Sequence, residues 1–302
     1  MKVALLAGGF GGARLARALA EAGVELTVIG NVGDDAEVLG LHVSPDLDSI
    51  LYALAGLGDE ERGWGRRDET WNALETVGAL GGETWFQLGD RDLGLHILRS
   101  RALRAGESLS AFTKRVASAL GVEAELLPAT DDPLPTWVET PAGDFPLQDW
   151  YVGRGHRDEV TGVRYEGDAK AAPGVLDALA TADLIAIAPS NPYLSIGPIL
   201  AVQGIRAALE QRGVPAVAVS PLIGGRTVKG PAAKMLERFA GGTEPKQVTQ
   251  CYKGLIDALV IDEADDPAGL DVTPVVTRTL MDGPEGRRRV AEAVLDIAAV
   301  AR

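Results

Sequence analysis

The chain begins with a short apolar run, Lys2-Val3-Ala4-Leu5-Leu6-Ala7. It breaks at Gly8-Gly9-Phe10-Gly11-Gly12 and passes into Ala13-Arg14-Leu15-Ala16-Arg17-Ala18-Leu19-Ala20, where apolar residues recur at helical spacing. That pattern predicts a buried strand, a glycine loop and a helix. Residues 25–30 form a second apolar run, and the helix-length crossover between the two makes them parallel neighbours in type. The alternation returns late in the chain. Residues 182–188 and 214–219 read as strands, each followed by a loop rich in proline, serine or glycine and then a helix, over residues 199–211 in the first case and through Phe239 in the second. Residues 258–262 and 274–277 read as late strands, and residues 285–301 as a closing amphipathic helix.

The middle third breaks this alternation. Residues 109–120 read as a helix opened by Ser108 or Ser110, residues 126–133 are turn-rich, and Thr136-Trp137-Val138-Glu139-Thr140 pairs as a hairpin with residues 145–151 across Pro141-Ala142-Gly143-Asp144. The whole therefore predicts an α/β fold: a Rossmann-like, mostly parallel sheet with helices on both faces, formed by residues 1–52 and 169–302. A helical and hairpin cap subdomain is inserted over residues 53–168.

Strand ends in such a sheet share one edge, so the loops after the strands converge on one cleft. Four glycines let backbone N–H groups approach an anion, and a helix start adds free donors and the positive dipole end, which suits a phosphate. The loop is neither a Walker A sequence nor a strict Gly-x-Gly-x-x-Gly fingerprint, and a plain tight turn would use the same glycines. Later stretches must decide. In Asn31-Val32-Gly33-Asp34-Asp35, after the second strand, an acid either holds a ribose hydroxyl or caps the next turn. In Ser44-Pro45-Asp46-Leu47-Asp48-Ser49, Pro45 puts two carboxylates at or just before a helix start; they either cap it or flank a Mg²⁺ ion. Arg91 in Gly89-Asp90-Arg91-Asp92 either pairs locally or reaches a ligand, and Trp64 and Trp71 either pack or stack on one. Ser190, Asn191 and Ser195 can bind sugar or phosphate oxygens, Ser195 doubling as a helix cap, while His156 and Lys229 are expected to face solvent.

Charge narrows the partners. Among 302 residues, 29 Lys and Arg stand against 43 Asp and Glu, a net charge of −14, which disfavours a non-specific nucleic-acid or anionic-membrane surface and requires any phosphate to be bound locally. A single cysteine, Cys251, excludes an internal disulfide framework and a multi-Cys zinc site. No apolar run approaches the roughly 18 residues of a membrane span and no basic leader precedes the first strand, so the expectation is a cytoplasmic protein.

Taken in order, seven stretches carry a resemblance that covers nearly the whole chain. They are the glycine loop, Asn31 through Asp35, Ser44-Pro45-Asp46-Leu47-Asp48, Gly89-Asp90-Arg91-Asp92, Leu127-Pro128-Ala129-Thr130-Asp131-Asp132, Ala188-Pro189-Ser190-Asn191-Pro192 with Ser195-Ile196-Gly197-Pro198, and Ser220-Pro221-Leu222-Ile223-Gly224. Together they resemble the 2-phospho-L-lactate transferases of coenzyme F420 biosynthesis. The resemblance implies that the ribityl hydroxyl of the deazaflavin alcohol Fo attacks a phosphorus of a guanosine diphosphate ester of lactate or enolpyruvate, and GMP leaves. It implies Mg²⁺ on Asp46 and Asp48, with one of these catalytic acids taking the hydroxyl proton. It also implies Fo on Asp48, Arg91, Asp90, Asn31 and Asp35, and the guanosine phosphates on Gly8, Gly9, Gly11, Gly12, Ser190, Asn191, Ser195 and Gly197. A homodimer is the family expectation. Phe10 departs from the small residue common there, so it is expected to pack beside a ring. Two rivals are a non-catalytic nucleotide-sugar-binding regulator similar to the gluconeogenesis-factor proteins, and a dinucleotide oxidoreductase. The first need not keep the Asp46/Asp48 and Asp90-Arg91-Asp92 turns; the second has no use for the loops at Ser190 and Ser220.

Overall fold

The computed structural model describes residues 1–300. The first apolar run forms β1 (Lys2–Ala7), and the chain turns at Gly8 directly into α1 (Gly9–Glu21), so the glycines expected to precede the helix make up its first turn. After β2 (Glu25–Gly30) comes a small hairpin that the pattern did not suggest, β3 (Ala36–Val38) and β4 (Leu41–Val43). Next is α2 (Pro45–Leu54), with Pro45 at the first helical position, where a missing N–H is harmless. A first excursion carries α3 (Asn72–Ala79) and α4 (Asp90–Arg104). The chain returns through α5 (Leu109–Ala119), whose N-terminus is capped by Ser108, to β5 (Glu125–Pro128). A second excursion holds β6 (Thr136–Thr140), β7 (Gly143–Pro146), a π-helical turn at Asp149–Gly153 and β8 (Gly162–Tyr165). The core then resumes with α6 (Val175–Thr181), β9 (Leu184–Ile187), a π-helical turn at Pro192–Ile196, α7 (Gly197–Ala201), α8 (Ile205–Glu210) and β10 (Ala216–Val219). It closes with the short hairpin β11 (Leu222–Ile223) and β12 (Arg226–Thr227), then α9 (Ala232–Ala240), α10 (Pro245–Cys251), β13 (Ala258–Asp262), β14 (Thr273–Thr277) and α11 (Gly283–Val300).

Seven strands form one sheet in the order β14-β13-β10-β9-β1-β2-β5, and every neighbouring pair is parallel. Alternate residues of β1 serve opposite layers. Val3, Leu5 and Ala7 pack with apolar residues of α1, α2, α5 and α11, whereas Ala4 and Leu6 pack with those of α6, α7 and α8. Burial on both faces is why the strands read as continuous apolar runs rather than as an alternation.

Four expectations need correction. The stretch 53–168 is not one block: Leu126, Leu127 and Pro128, read as part of a turn-rich insert, form the sheet's edge strand β5 against β2, so the insertion is two excursions on either side of it. The partner of β6 stops at Pro146 instead of running to Tyr151, because Leu147 and Trp150 turn inward to pack with Val138, Val160 and Met235. Opposite β7, β6 carries a third strand, β8. The helix expected over residues 199–211 is broken into α7 and α8 where the Gln203 N–H bonds the Ala169 carbonyl and Gly204 takes a left-handed φ of +87°.

Leu5 is wholly inaccessible and belongs to the layer that includes Leu15 and Leu19. Leu5→Ala is therefore expected to lower unfolding free energy by about 3 kcal/mol, within the usual range for buried leucines. Urea denaturation reads this; a loss below about 1 kcal/mol would mean that α1 closes onto the gap.

Candidate active site

The strand order reverses direction on either side of β1, so the loops after β1 and β9 open away from each other and leave a crevice at the carboxyl edge of the sheet. Ser190 joins the two loops: its hydroxyl donates to the Gly8 carbonyl at 2.6 Å, and the Gly8 N–H donates back to Oγ at 3.3 Å. At Gly8 a Cβ would strike the Asp46 carboxylate and lie 2.8 Å from Ser195 Cβ and 3.0 Å from Asn31 Cβ. At Gly11 a Cβ would strike the Pro189 carbonyl oxygen. The ends of β1, β2 and β9 and the start of α2 thus meet with no room for a side chain at the first two turns of the crevice.

Asp46 sits there, buried, in the first turn of α2. Asn31 Nδ2 donates to Asp46 Oδ2 at 2.9 Å and to Asp34 Oδ1 at 3.3 Å, while Asp34 Oδ2 accepts the Asp46 backbone N–H at 3.0 Å. Gln148, from the second excursion, donates its amide to the Asp34 carbonyl at 3.1 Å. Burial pushes the Asp46 carboxyl up to about 6, against hydrogen bonds from Asn31, the Gly9 N–H and Ser195. Burial raises Asp34 well above the usual carboxylate range, and the charges of Asp46 and Asp35 add to it. Asp35 is also raised by burial, though His42 (2.9 Å) and Ser44 (3.0 Å) hydrogen-bond its Oδ2; its other oxygen is buried without a partner. Three acids with one amide between two of them make a concentrated negative site.

Asp48 belongs to a different arrangement. Two positions apart in a helix, Asp46 and Asp48 point about 200° apart, so the expected pair does not face a common ion. Both Asp48 oxygens are held by Arg99, one of them by Nη1 at 3.0 Å, and His96 Nδ1 lies 3.7 Å away. Burial holds His96 down to about 4, so it is neutral beside the guanidinium. Nearby, the Tyr52 hydroxyl donates to Asp92 Oδ1 at 2.5 Å, and burial pushes the Asp92 carboxyl up to about 6. Asp92, His96 and Arg99 lie at i, i+4 and i+7 on the buried face of α4. That polar stripe at helical spacing is present in the sequence, whereas the turn pattern there points to Arg91.

These groups open into one cavity of about 680 Å³, within the range of ligand sites. Of the residues expected to bind the nucleotide, Gly8, Gly9, Gly11, Ser190, Asn191 and Ser195 line it; Gly12 lies behind, against Ala7 and Ser190, and Gly197 packs on the Tyr165 hydroxyl. The Asn191 side chain also caps the following turn, accepting from the Tyr193 and Leu194 N–H groups. Asp46 and Asp48 line the cavity; Asn31 and Asp35 stand behind it as hydrogen-bond partners. Arg91 is exposed and is not among the residues lining the cavity, and Asp90 accepts from Thr70, Asn72 and Ala73 to start α3. Both His156 and Lys229 line the wall: Lys229 is exposed, as expected, while His156 is half-buried and stacked on Tyr151 with ring centroids 5.1 Å apart. Trp64, Trp85 and Phe86 bring further aromatic surface from the first excursion. Among the described residues no group of three His, Cys, Asp or Glu side chains is arranged to hold a metal ion by itself, and no helix is long and apolar enough to cross a membrane.

Comparison with known proteins agrees with this architecture. Residues 3–273 match the family model described as 2-phospho-L-lactate transferase CofD. The chain is 43% identical to a phosphoenolpyruvate transferase of Streptomyces griseus, covering 88% of this chain and 86% of that one. It is 38% identical to a 2-phospho-L-lactate transferase of Methanopyrus kandleri, covering 98% and 97%. The fold is similar to a crystal structure of a upf0052 family member from Bacillus halodurans, with a TM-score of 0.65 at 19% identity over 97% and 98% of the two chains.

The raised carboxyl of Asp92 carries a stability prediction. Its folded-state value lies above the ordinary one, so the stability it contributes is present below about pH 4 and lost as pH rises through about 6. Relative to Asp92→Asn, the wild-type chain without ligands should gain on the order of 1–3 kcal/mol between pH 7.5 and pH 4. Urea midpoints across that window give the difference, and a difference independent of pH would show that Asp92 ionises normally.

Proposed function

The chain belongs to the 2-phospho-L-lactate transferase family, and from that premise we propose how its cavity carries out the transfer. The enzyme moves a phospholactate or enolpyruvyl phosphate group to Fo in coenzyme F420 biosynthesis. The observation that carries our reading of the site is the Asp46 carboxylate seated on the Gly8 backbone with Asp34 beside it on a shared amide.

The donor set fits Mg²⁺: two buried carboxylates with hard oxygens, no cation paired with either among the described residues, and open cavity where phosphate oxygens and water complete the shell. Asp46 and Asp34, rather than Asp46 and Asp48, would hold the ion. When bound it neutralises charge on the diphosphate. Asn31 fixes the orientation of both carboxylates. The N–H groups at the start of α1 and the Ser190 loop face the guanosine phosphates, adding the helix dipole to their stabilisation. Asp48, immobilised by Arg99, accepts the hydrogen bond of the ribityl hydroxyl and takes its proton as the oxygen attacks phosphorus and the bond to GMP breaks. The tricyclic ring of Fo lies among Trp85, Phe86 and Tyr151, with Asp92 and neutral His96 at its polar edge. Association as a homodimer is carried over from the family and is read by sedimentation.

Incubation with Fo, MgCl₂ and each guanosine diphosphate ester should give the Fo conjugate and GMP by mass, with product mass distinguishing the lactyl from the enolpyruvyl group. Asp46→Asn should lower kcat about 100-fold or more while Fo binding, followed by its fluorescence, stays within about twofold. A near wild-type rate for Asp46→Asn at limiting Mg²⁺ would remove Asp46 from the metal site.

A further inference from the structure

Two cations on the cavity wall have no role in the scheme above. Arg14 lies one turn after Phe10 on α1 and lays its guanidinium over the Phe10 ring, 4.2 Å from the centroid; Lys229, in the loop after β12, has Nζ 5.3 Å from the same centroid. Their hydrogen bonds go to neutral oxygens. Arg14 Nη1 donates to the Met281 carbonyl at 3.1 Å, and Lys229 Nζ to the carbonyls of Arg62 and Gly63 at 3.2 and 3.1 Å. Among the described residues neither is in an ion pair, and Glu60, the acid nearest in influence to Arg14, is engaged by Arg17 and Arg287. Burial lowers the pKa of both, and the Arg14 charge lowers that of Lys229 further. Glu60 and Asp282 act on Arg14 only at a distance and Lys229 is exposed, so the two positive charges on one wall of the cavity, neither in an ion pair among the described residues, leave a place for an anion.

We propose that Arg14 and Lys229 form the subsite for the carboxylate of the three-carbon acid on the transferred phosphate, with Phe10 packed against the acid's methyl or methylene carbon. The proposal rests on the transferase reading of the cavity. The phosphates already have donors at the start of α1 and a cation at Asp46 and Asp34. Arg14 sits beyond that first turn, and its side chain returns over the i−4 residue as helical side chains do, which brings the guanidinium alongside the glycines rather than onto the helix cap. A planar guanidinium matches a carboxylate in two parallel hydrogen bonds, and the ammonium of Lys229 supplies a second charge. An aromatic ring between the two suits a small acid with one apolar carbon.

The test compares two probes by titration calorimetry without Fo: the guanosine diphosphate ester of the acid, and GDP, which lacks it. Arg14→Gln and Lys229→Gln should each weaken the ester about tenfold or more while GDP stays within about twofold, which also shows that the variants are folded. Arg14→Lys should keep most of the preference for ester over GDP. An ester carrying a carboxamide in place of the carboxylate should bind the wild-type chain about as weakly as the acid ester binds the variants. Equal losses for ester and GDP would assign the pair to phosphate and overturn the proposal, as would unchanged ester affinity. If the wild-type chain prefers the ester yet makes no Fo conjugate, the subsite stands and the assigned transfer falls.

Discussion

A buried carboxylate pressed against a backbone that carries no side chain sets the terms for this molecule. Asp46 can occupy its place only because position 8 is glycine, and it can remain there only because Asn31, the Gly9 N–H and Ser195 donate to it. Those donors come from the segments that follow three neighbouring strands of the sheet, β2, β1 and β9, so the loops after all three meet at one acid. The arrangement is costly without a ligand. Burial raises both Asp46 and Asp34, and their charges oppose each other. A local cluster that works against folding, held by a sheet buried on both faces, is the usual way in which a rigid scaffold carries a site that a cation and phosphates would relax.

The first turn of α2 divides its two acids between different tasks. One faces the glycines and is paired with no cation among the described residues; the other faces α4 and is paired with Arg99. A buried ion pair adds little to stability over an apolar pair, yet removing one partner leaves the other stranded, so such a pair chiefly fixes position. Neutral His96 and the Tyr52–Asp92 contact extend the same polar seam along α4. The proposed scheme assigns the first to the diphosphate and the second to the alcohol, and the helix separates the two by pointing acids two residues apart in different directions.

How much of this was readable follows from the physics of each element. The central strands were plain because parallel strands with two buried faces are unbroken apolar runs, and the convergence of Gly8, Asn31 and Ser190 followed from parallel topology alone. The edge strand β5 was hidden: four residues ending in Pro128 look like a turn, and only pairing with β2 makes them a strand. Asp46 and Asp48 both fall in the first turn of α2. Spacing of two reads as proximity in an extended turn and as opposition in a helix, and Pro45 at the first helical position settled which applies. Arg99 lies 51 residues from Asp48, a pairing that no local pattern encodes. Lys229 is exposed, as a lysine in a glycine-rich loop usually is, but its two carbonyl partners lie 166 and 167 residues away and no local pattern encodes them.

The doubly wound sheet supplies the acid centre, and the two excursions supply most of the remaining wall. They are not loose appendages. The Thr136 N–H donates to the Gly33 carbonyl at 2.8 Å, Gln148 reaches the Asp34 carbonyl, and Lys229 holds the first excursion at Gly63. Gly33 and Asp34 belong to the same turn that orients Asn31, whose side-chain oxygen accepts the Gly33 N–H at 2.8 Å. Any displacement of the second excursion is therefore transmitted through two hydrogen bonds to the residue that sets both carboxylates. The aromatic wall and the acid cluster are therefore parts of one hydrogen-bonded unit, and in the proposed scheme occupancy of the first would bear on the geometry of the second.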